Sequence, residues 1–271
     1  MTAENNEHYD LTIPEAGLDY DILDLAFNLT TQSFMQINGI QPGMRILDVG
    51  SGSGIMTHYL ATETGPQGQV LSIDNSLAQL AHAQQYCQKQ GDTNIRFIHL
   101  SAYDIPSLKE TFDLIYCRFV LHHLQSPRQT IQLFQEALNK GGIYIAEEGI
   151  ISAAFSYPPS KAWFYNRDEI TLPEKETDGI SRDGEFGMKL FYWMKKAGFT
   201  IKNTKLVQPL FTTFDQKKKI LSGHDAYKET ALKQGTTEAE WESERQELLR
   251  LARDEFTVVG FYQSCQVCGV K

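Results

Sequence analysis

The sequence predicts an α/β domain on a doubly wound, mostly parallel sheet, with helical lid insertions late in the chain. Three observations carry that prediction. Residues Ile46 to Gly54 read Ile-Leu-Asp-Val-Gly-Ser-Gly-Ser-Gly and lead into the helical run Ile55–Leu60, so an apolar strand meets a helix through three glycines. Apolar runs of strand length then alternate with helix-length segments over residues 45–149, the pattern of right-handed βαβ crossovers. The second of those runs ends in Asp74, about 20 residues past Gly54, which places a carboxylate at the C-terminal edge of the neighbouring strand.

Residues 1–16 read as a loose arm. Asp19 to Ile40 carries Ile22, Leu25, Leu29, Phe34, Ile37 and Ile40 at helical spacing. Gln41-Pro42-Gly43 turns the chain into the first strand, Arg45–Val49. The glycine turn offers bare backbone to a ligand and aims unpaired N–H groups at it. Its helix runs to about Ala61, and Gln69–Ile73 is the second strand. Asp74 can accept both hydroxyls of a ribose, or cap the helix Ser76–Lys89. Asn94–Leu100 and Phe112–Cys117 are the third and fourth strands. Arg118–Leu124 follows, with His122 and His123 read either as a general base or metal ligand or as a helix start.

Ile131–Leu138 is a helix with a glycine stop at Asn139–Gly142, and Ile143–Ala146 is the fifth strand, ending at Glu147-Glu148. Ile150–Ser181 is irregular and aromatic. A helix to Lys196 ends at Ala197-Gly198-Phe199, and Thr200–Leu210 reads as a sixth strand. Thr213–Glu255 is a helical insertion broken at Gly235, in which Thr237 and Glu240 have capping-box spacing. Phe256–Val270 holds the last strand.

Composition narrows the function. A chain of 271 residues is one large domain or one domain with a lid. Its net charge of -9 argues against tight nucleic-acid binding, which rests on Lys and Arg neutralising phosphates. Lys217-Lys218-Lys219 reads as a solvated helix face. Cys265-Gln-Val-Cys268 has no second pair to complete a zinc site, and residues three apart on a strand point to opposite faces, so no metal is expected. Neither a signal peptide nor a membrane-length apolar run is present, so the expectation is a soluble, cytoplasmic protein without a membrane partner.

The glycine spacing is two and two, whereas a dinucleotide fingerprint needs two and then three. Asp48, just before the turn, suits a ligand with a positive centre and repels a pyrophosphate. Asp48, Gly50, Gly52 and Gly54 together resemble motif I of the class I S-adenosylmethionine (SAM)-dependent methyltransferases, (D/E)-x-G-x-G-x-G. Ser101-Ala-Tyr-Asp-Ile-Pro106 resembles that family's adenine-binding segment, with Ser101 where the family has an acid and Asp104 as the alternative. Asp183, Gly187, Leu190, Ala197, Gly198, Phe199, Val267 and Gly269 fit a small-molecule branch. That branch carries arginines in the helix before motif I, and Tyr20–Leu25 has none.

The resemblance implies a Rossmann-like seven-stranded sheet with its last strand antiparallel. It implies SAM held by Asp48, Gly50, Ser51, Gly52, Gly54, Asp74, Asn75, Ser101, Ala102, Tyr103 and Arg118, with S-adenosylhomocysteine (SAH) as product. Residues 1–40 would form an arm and helix over the cofactor, residues 41–149 the SAM-binding core, and residues 150–271 the last strands with lid insertions at 150–181 and 213–255. Trp163, Phe164 or Tyr165, with His224 and Tyr227, would cover the methyl group. The catalytic candidates are His122, His123 and Glu147, and the partner is a small-molecule methyl acceptor. A non-catalytic SAM-binding or regulatory protein and an NAD-dependent oxidoreductase are the alternatives. Monomer and homodimer both stay open.

Overall fold

A computed structural model describes residues 20–160, 163, 183–233 and 235–271. The first half runs α1 (Tyr20–Asn38), β1 (Arg45–Val49), α2 (Ile55–Thr64), β2 (Gln69–Asp74), α3 (Leu77–Gln90), β3 (Ile95–His99), β4 (Phe112–Arg118), α4 (Pro127–Ala137) and β5 (Leu138–Ile150). Short 3₁₀ turns, Ala102–Leu108 and Leu121–His123, follow β3 and β4. The second half supplies β6 (Phe155–Tyr157), α5 (Phe186–Lys196), β7 (Thr200–Val207), β8 (Leu210–Phe211), α6 (Phe214–Lys233), α7 (Glu238–Arg253), β9 (Val258–Gly260) and β10 (Gln263–Val270).

Seven strands form the main sheet in the order β3-β2-β1-β4-β5-β10-β7. The first five pair in parallel, and β10 lies antiparallel between β5 and β7. The chain moves outward from β1 to β3 and then returns to the other side of β1 with β4. Its ligand crevice therefore opens above the C-terminal ends of β1 and β4.

Alternation along the strands feeds two cores. Leu47, Val49, Ile115, Cys117, Tyr144, Ala146 and Val267 pack against Ile131 and Phe134 of α4 and Phe186, Leu190 and Met194 of α5. Ile46, Leu114, Tyr116, Ile143, Ile145 and Cys268 pack against Phe34 and Met35 of α1 and Met56 and Leu60 of α2. Cys265 packs on the first core and Cys268 lies in the second, so the two thiols face opposite sides of the sheet.

Three core strands continue, after bends of two to four residues, into a second sheet ordered β6-β9-β8. Strand β5 leads to β6, β7 leads to β8, and β9 leads to β10, so the neighbour order of the main-sheet edge is kept. The bends hold each other: the Phe261 N–H donates to the Pro209 carbonyl at 2.9 Å, and the Gln208 side-chain amide donates to the Phe261 carbonyl. Over this sheet α6 and α7 close a third core of Trp163, Phe211, Leu221, Leu248, Leu251 and Val259, reached by Ile22 and Ala26 of α1. The capping box starting α7 is present, with Thr237 accepting from the Glu240 N–H and Glu240 from the Thr237 N–H.

Several expectations are corrected here. Ile150–Ser181 is not wholly irregular, because Phe155–Tyr157 is a strand of the second sheet. Asn139–Gly142 does not stop a helix. Helix α4 ends at Ala137, Leu138 already pairs with Phe112, and Gly141 at φ +80° eases the register shift that follows. Lys217 does not lie on a solvated face. It is 1% exposed, and its ammonium donates to the carbonyls of Asp254 at 2.6 Å and Thr257 at 3.0 Å, which close the loop between α7 and β9. Burial pushes its pKa down. Among the lid aromatics, Trp163 packs inside the third core, and His224 is buried with its ring stacked on Trp241 at 3.8 Å. Both hold the lid together. Phe164, Tyr165 and the Tyr227 side chain lie outside the described residues.

Candidate active site

The three turn glycines do different work. All take positive φ: +87° at Gly50, +51° at Gly52 and +81° at Gly54. A Cβ on Gly54 would stand 2.7 Å from the Ala83 Cα, so this glycine lets α2 and α3 approach. A Cβ on Gly50 would stand 2.5 Å from the Val120 side chain, which covers the turn from the β4 side. A Cβ on Gly52 would meet nothing nearer than the Gly50 carbonyl at 4.0 Å. Open space in front of a left-handed glycine is where a ligand can lie against backbone.

Asp74 stands beside that opening. One carboxylate oxygen accepts from the Ser76 N–H at 2.8 Å and the other from the Gly52 N–H at 3.5 Å. Burial raises its pKa, against the pull of those N–H groups. Asp74 does not cap α3; Ser76 does, by accepting from the Gln79 N–H. Asn75 is exposed, and its carbonyl accepts from His99 Nε2 at 3.0 Å. These residues fit an adenosyl group: open space before the left-handed Gly52 and the Asp74 carboxylate beside it.

Asp48 sits behind the turn. Its carboxylate is 1% exposed and accepts from the hydroxyls of Thr57 at 2.6 Å and Ser72 at 2.9 Å. The Ser51 hydroxyl also points inward, 2.8 Å from that of Ser72. Burial raises the Asp48 pKa from 3.8 to about 6. Because the folded value lies above the unfolded one, its contribution to stability is present below 3.8 and is lost as pH rises to about 6. Asp48→Asn should therefore gain on wild type by on the order of 2–3 kcal/mol between about pH 4 and pH 7. Urea unfolding of both proteins across that range checks it, and a constant difference would contradict it.

Beyond β3, the Ser101 side chain accepts from the Tyr103 N–H and caps the 3₁₀ turn, while Asp104 is exposed. Ala102 is buried, and the Tyr103 hydroxyl accepts from the Ser126 N–H at 2.9 Å.

Arg118 turns toward α1. Its guanidinium donates to Asn28 at 2.8 Å and pairs with Asp24 at 3.4 Å. Burial opposes its charge, but Tyr116, Glu147 and Asp24 outweigh that and raise its pKa. The polarity expected between helix and core is thus reversed: α1 carries the acid, and the strand end carries the arginine.

The two glutamates at the end of β5 diverge, as strand geometry requires. Glu147 accepts from the hydroxyls of Thr31 on α1 and Ser264 on β10, both at 2.5 Å. It has no exposed surface and ties α1 to the sheet, so its place as a catalytic candidate is corrected. Glu148, which sequence reasoning passed over, faces the 3₁₀ turn after β4. One of its oxygens accepts the N–H groups of Val120 at 3.0 Å and Leu121 at 2.7 Å, and the other lies 2.7 Å from His122 Nδ1. The His123 ring lies tilted against His122, with centroids 3.7 Å apart. Phe119 holds φ +55°, with its N–H donating to the Glu147 carbonyl at 2.9 Å. Phe119 meets Phe27 and Tyr262 edge-on, and those two are tilted against each other, with all three centroids 5.2 to 5.9 Å apart. Among the described residues no cluster of three potential metal ligands occurs.

A methyltransferase-domain family profile matches residues 40–178, half of the chain. A protein of Synechococcus sp. is 43% identical over 100 residues, covering 36% of this chain and 24% of its own. The ubiquinone/menaquinone biosynthesis C-methyltransferase of Hahella chejuensis is 26% identical over 137 residues, covering 49% of this chain and 55% of its own. The chain thus spans at most about half the length of these curated relatives. The crystal structure of the YcgJ protein from Bacillus subtilis superposes with a TM-score of 0.56 at 15% identity, covering 90% of this chain and 98% of that one. At that identity the likeness is one of fold.

Proposed function

The chain belongs to the class I methyltransferase family, and from that premise we propose that it moves a methyl group from SAM to a small-molecule acceptor. One observation carries the reading. The side-chain-free face of Gly52 opens at the topological switch point, with the Asp74 carboxylate beside it. In this reading the turn Gly50–Gly54 takes the amino-acid end of the ligand, Asp74 takes the ribose hydroxyls, and the Ala102–Tyr103 backbone meets the adenine. Bound SAM supplies a methyl group already activated on a sulfonium. The protein's own work is then to orient the acceptor and keep water out.

Low net charge density of the basic kind supports a small acceptor, since -9 overall suits nucleic acid poorly. Among the described residues no helix is long and apolar enough to cross a membrane. We place the activity in the cytoplasm on the same compositional grounds.

Calorimetry with SAM tests the cofactor. Asp74→Ala should weaken binding by roughly 1–3 kcal/mol, the scale for losing hydrogen bonds to a charged group. Unchanged affinity would put the ribose elsewhere, and binding of NAD instead would sink the reading. Incubating cell metabolites with methyl-labelled SAM then separates an enzyme from a protein that only binds.

A further inference from the structure

Resting on that reading, we propose that His122 takes the proton of the methyl acceptor, that Glu148 is its positioning residue, and that the acceptor is an O–H acid, a phenol or enol on a flat conjugated frame. The argument begins with Glu148. It has no exposed surface, and its carboxylate accepts from two backbone N–H groups and faces His122 Nδ1 at 2.7 Å. A carboxylate can only accept, so Nδ1 carries the proton of the neutral ring. The lone pair is then on Nε2, where a proton can be received. The ring is held by a partner that is itself held, and 17% of the side chain reaches the surface.

The dyad stands at the crevice. Val120, two residues before His122, is the side chain lying against Gly50 of the turn. Phe119, one residue earlier, is a bulky residue held in the left-handed region, a strained conformation that persists only where surroundings impose it. That bend lets the chain leave β4 and return over the end of β5, bringing His122 to Glu148.

The acceptor class follows from what a base is needed for and from what lines the way in. A neutral amine attacks a methyl sulfonium without prior loss of a proton. A phenol or enol is a poor nucleophile until its proton leaves. Beside His122 the half-buried Phe119 ring lies 6.5 Å away, edge-on to the half-buried Tyr262 and to Phe27, which is fully buried behind them, and the Phe119 ring suits a planar guest. In the step, the O–H proton passes to Nε2, and the electron pair left on the acceptor forms the new bond to the methyl carbon. The electrons of the old carbon–sulfur bond stay on sulfur, and the imidazolium returns its proton to water.

Around His122 stand Glu148 from β5, the His123 ring tilted against it at 3.7 Å, and Asp183, whose backbone N–H donates to the His122 carbonyl and whose carboxylate is held by Lys189 at 2.8 Å.

The test begins with ¹⁵N NMR of the histidine-labelled full chain. Wild type should show His122 with Nδ1 protonated and Nε2 bare at mildly alkaline pH. Glu148→Gln keeps an oxygen for the two backbone N–H groups and turns an NH₂ toward Nδ1, so the tautomer should invert while the fold is retained. Diethyl pyrocarbonate should modify Nε2 in wild type, and more slowly with SAH bound. With methyl-labelled SAM and the probes catechol and 4-nitrophenol, His122→Asn should lower kcat by about 10²–10⁴-fold and abolish the acidic limb of its pH profile, leaving SAH affinity unchanged. A protonated Nε2 in wild type, an unmoved tautomer in Glu148→Gln, wild-type turnover by His122→Asn, or turnover confined to amine probes would each overturn the proposal. Loss of SAH binding in wild type would instead remove the methyltransferase reading and leave the tautomer result standing.

Discussion

Gly54→Ala is expected to destabilise the protein by about 3 kcal/mol or more. Two costs add. The residue sits at φ +81°, where an L-residue loses about 1–2 kcal/mol. The new Cβ would also stand 2.7 Å from the Ala83 Cα and 2.9 Å from its carbonyl oxygen. Those are backbone atoms of α3, so relief requires the helix to move. For a chain of this size the loss should lower Tm by roughly 6–12 °C. Gly52→Ala is the contrast. Its φ of +51° still carries strain, but the methyl meets open space, so stability should fall little while SAM affinity falls steeply. Thermal melts and calorimetry on the two variants should therefore rank them in opposite orders. The same order in both assays would contradict the division of labour within the turn.

Arg118→Leu should cost about 3–5 kcal/mol, because it strands a buried carboxylate. Asp24 and Arg118 are each 11% exposed, and Asn28 also loses its donor. The damage should centre on α1, read as early cleavage near Tyr20–Asn38 in limited proteolysis. Adding Asp24→Asn should recover part of the loss, since it removes the uncompensated charge. A double variant no better than Arg118→Leu would show that packing, not charge, sets the cost.

What the sequence exposed and what it hid divide along physical lines. The glycine turn and the Thr237–Glu240 cap were legible because each is a local pattern whose chemistry acts within a few residues, and the place of Asp74 at the strand end beside that turn followed from the strand–turn–helix–strand order. Strand β6 was hidden because three residues are too short to show alternation. Its pairing with β9 depends on a partner about 100 residues away. The roles of Glu147 and Glu148 were hidden for a related reason. Adjacent acids at a strand end look alike, and only the sheet decides that one meets Thr31 and Ser264 while the other meets His122. A partial signal was present: neighbours on a strand face opposite ways, so a His pair on one side can meet only one of them.

The second sheet shares its strands with the first, joined by bends that hydrogen-bond to each other. Among the described residues this sheet has no hinge of its own. Rotating it would have to unpair the edge of the main sheet, whereas the helices above it are not tied to that edge by strand pairing. Amide hydrogen exchange should report this as two rates rather than one. Val258–Gly260 and Leu210–Phe211 should exchange with the core as a single cooperative unit, whereas α6 and α7 open locally and faster.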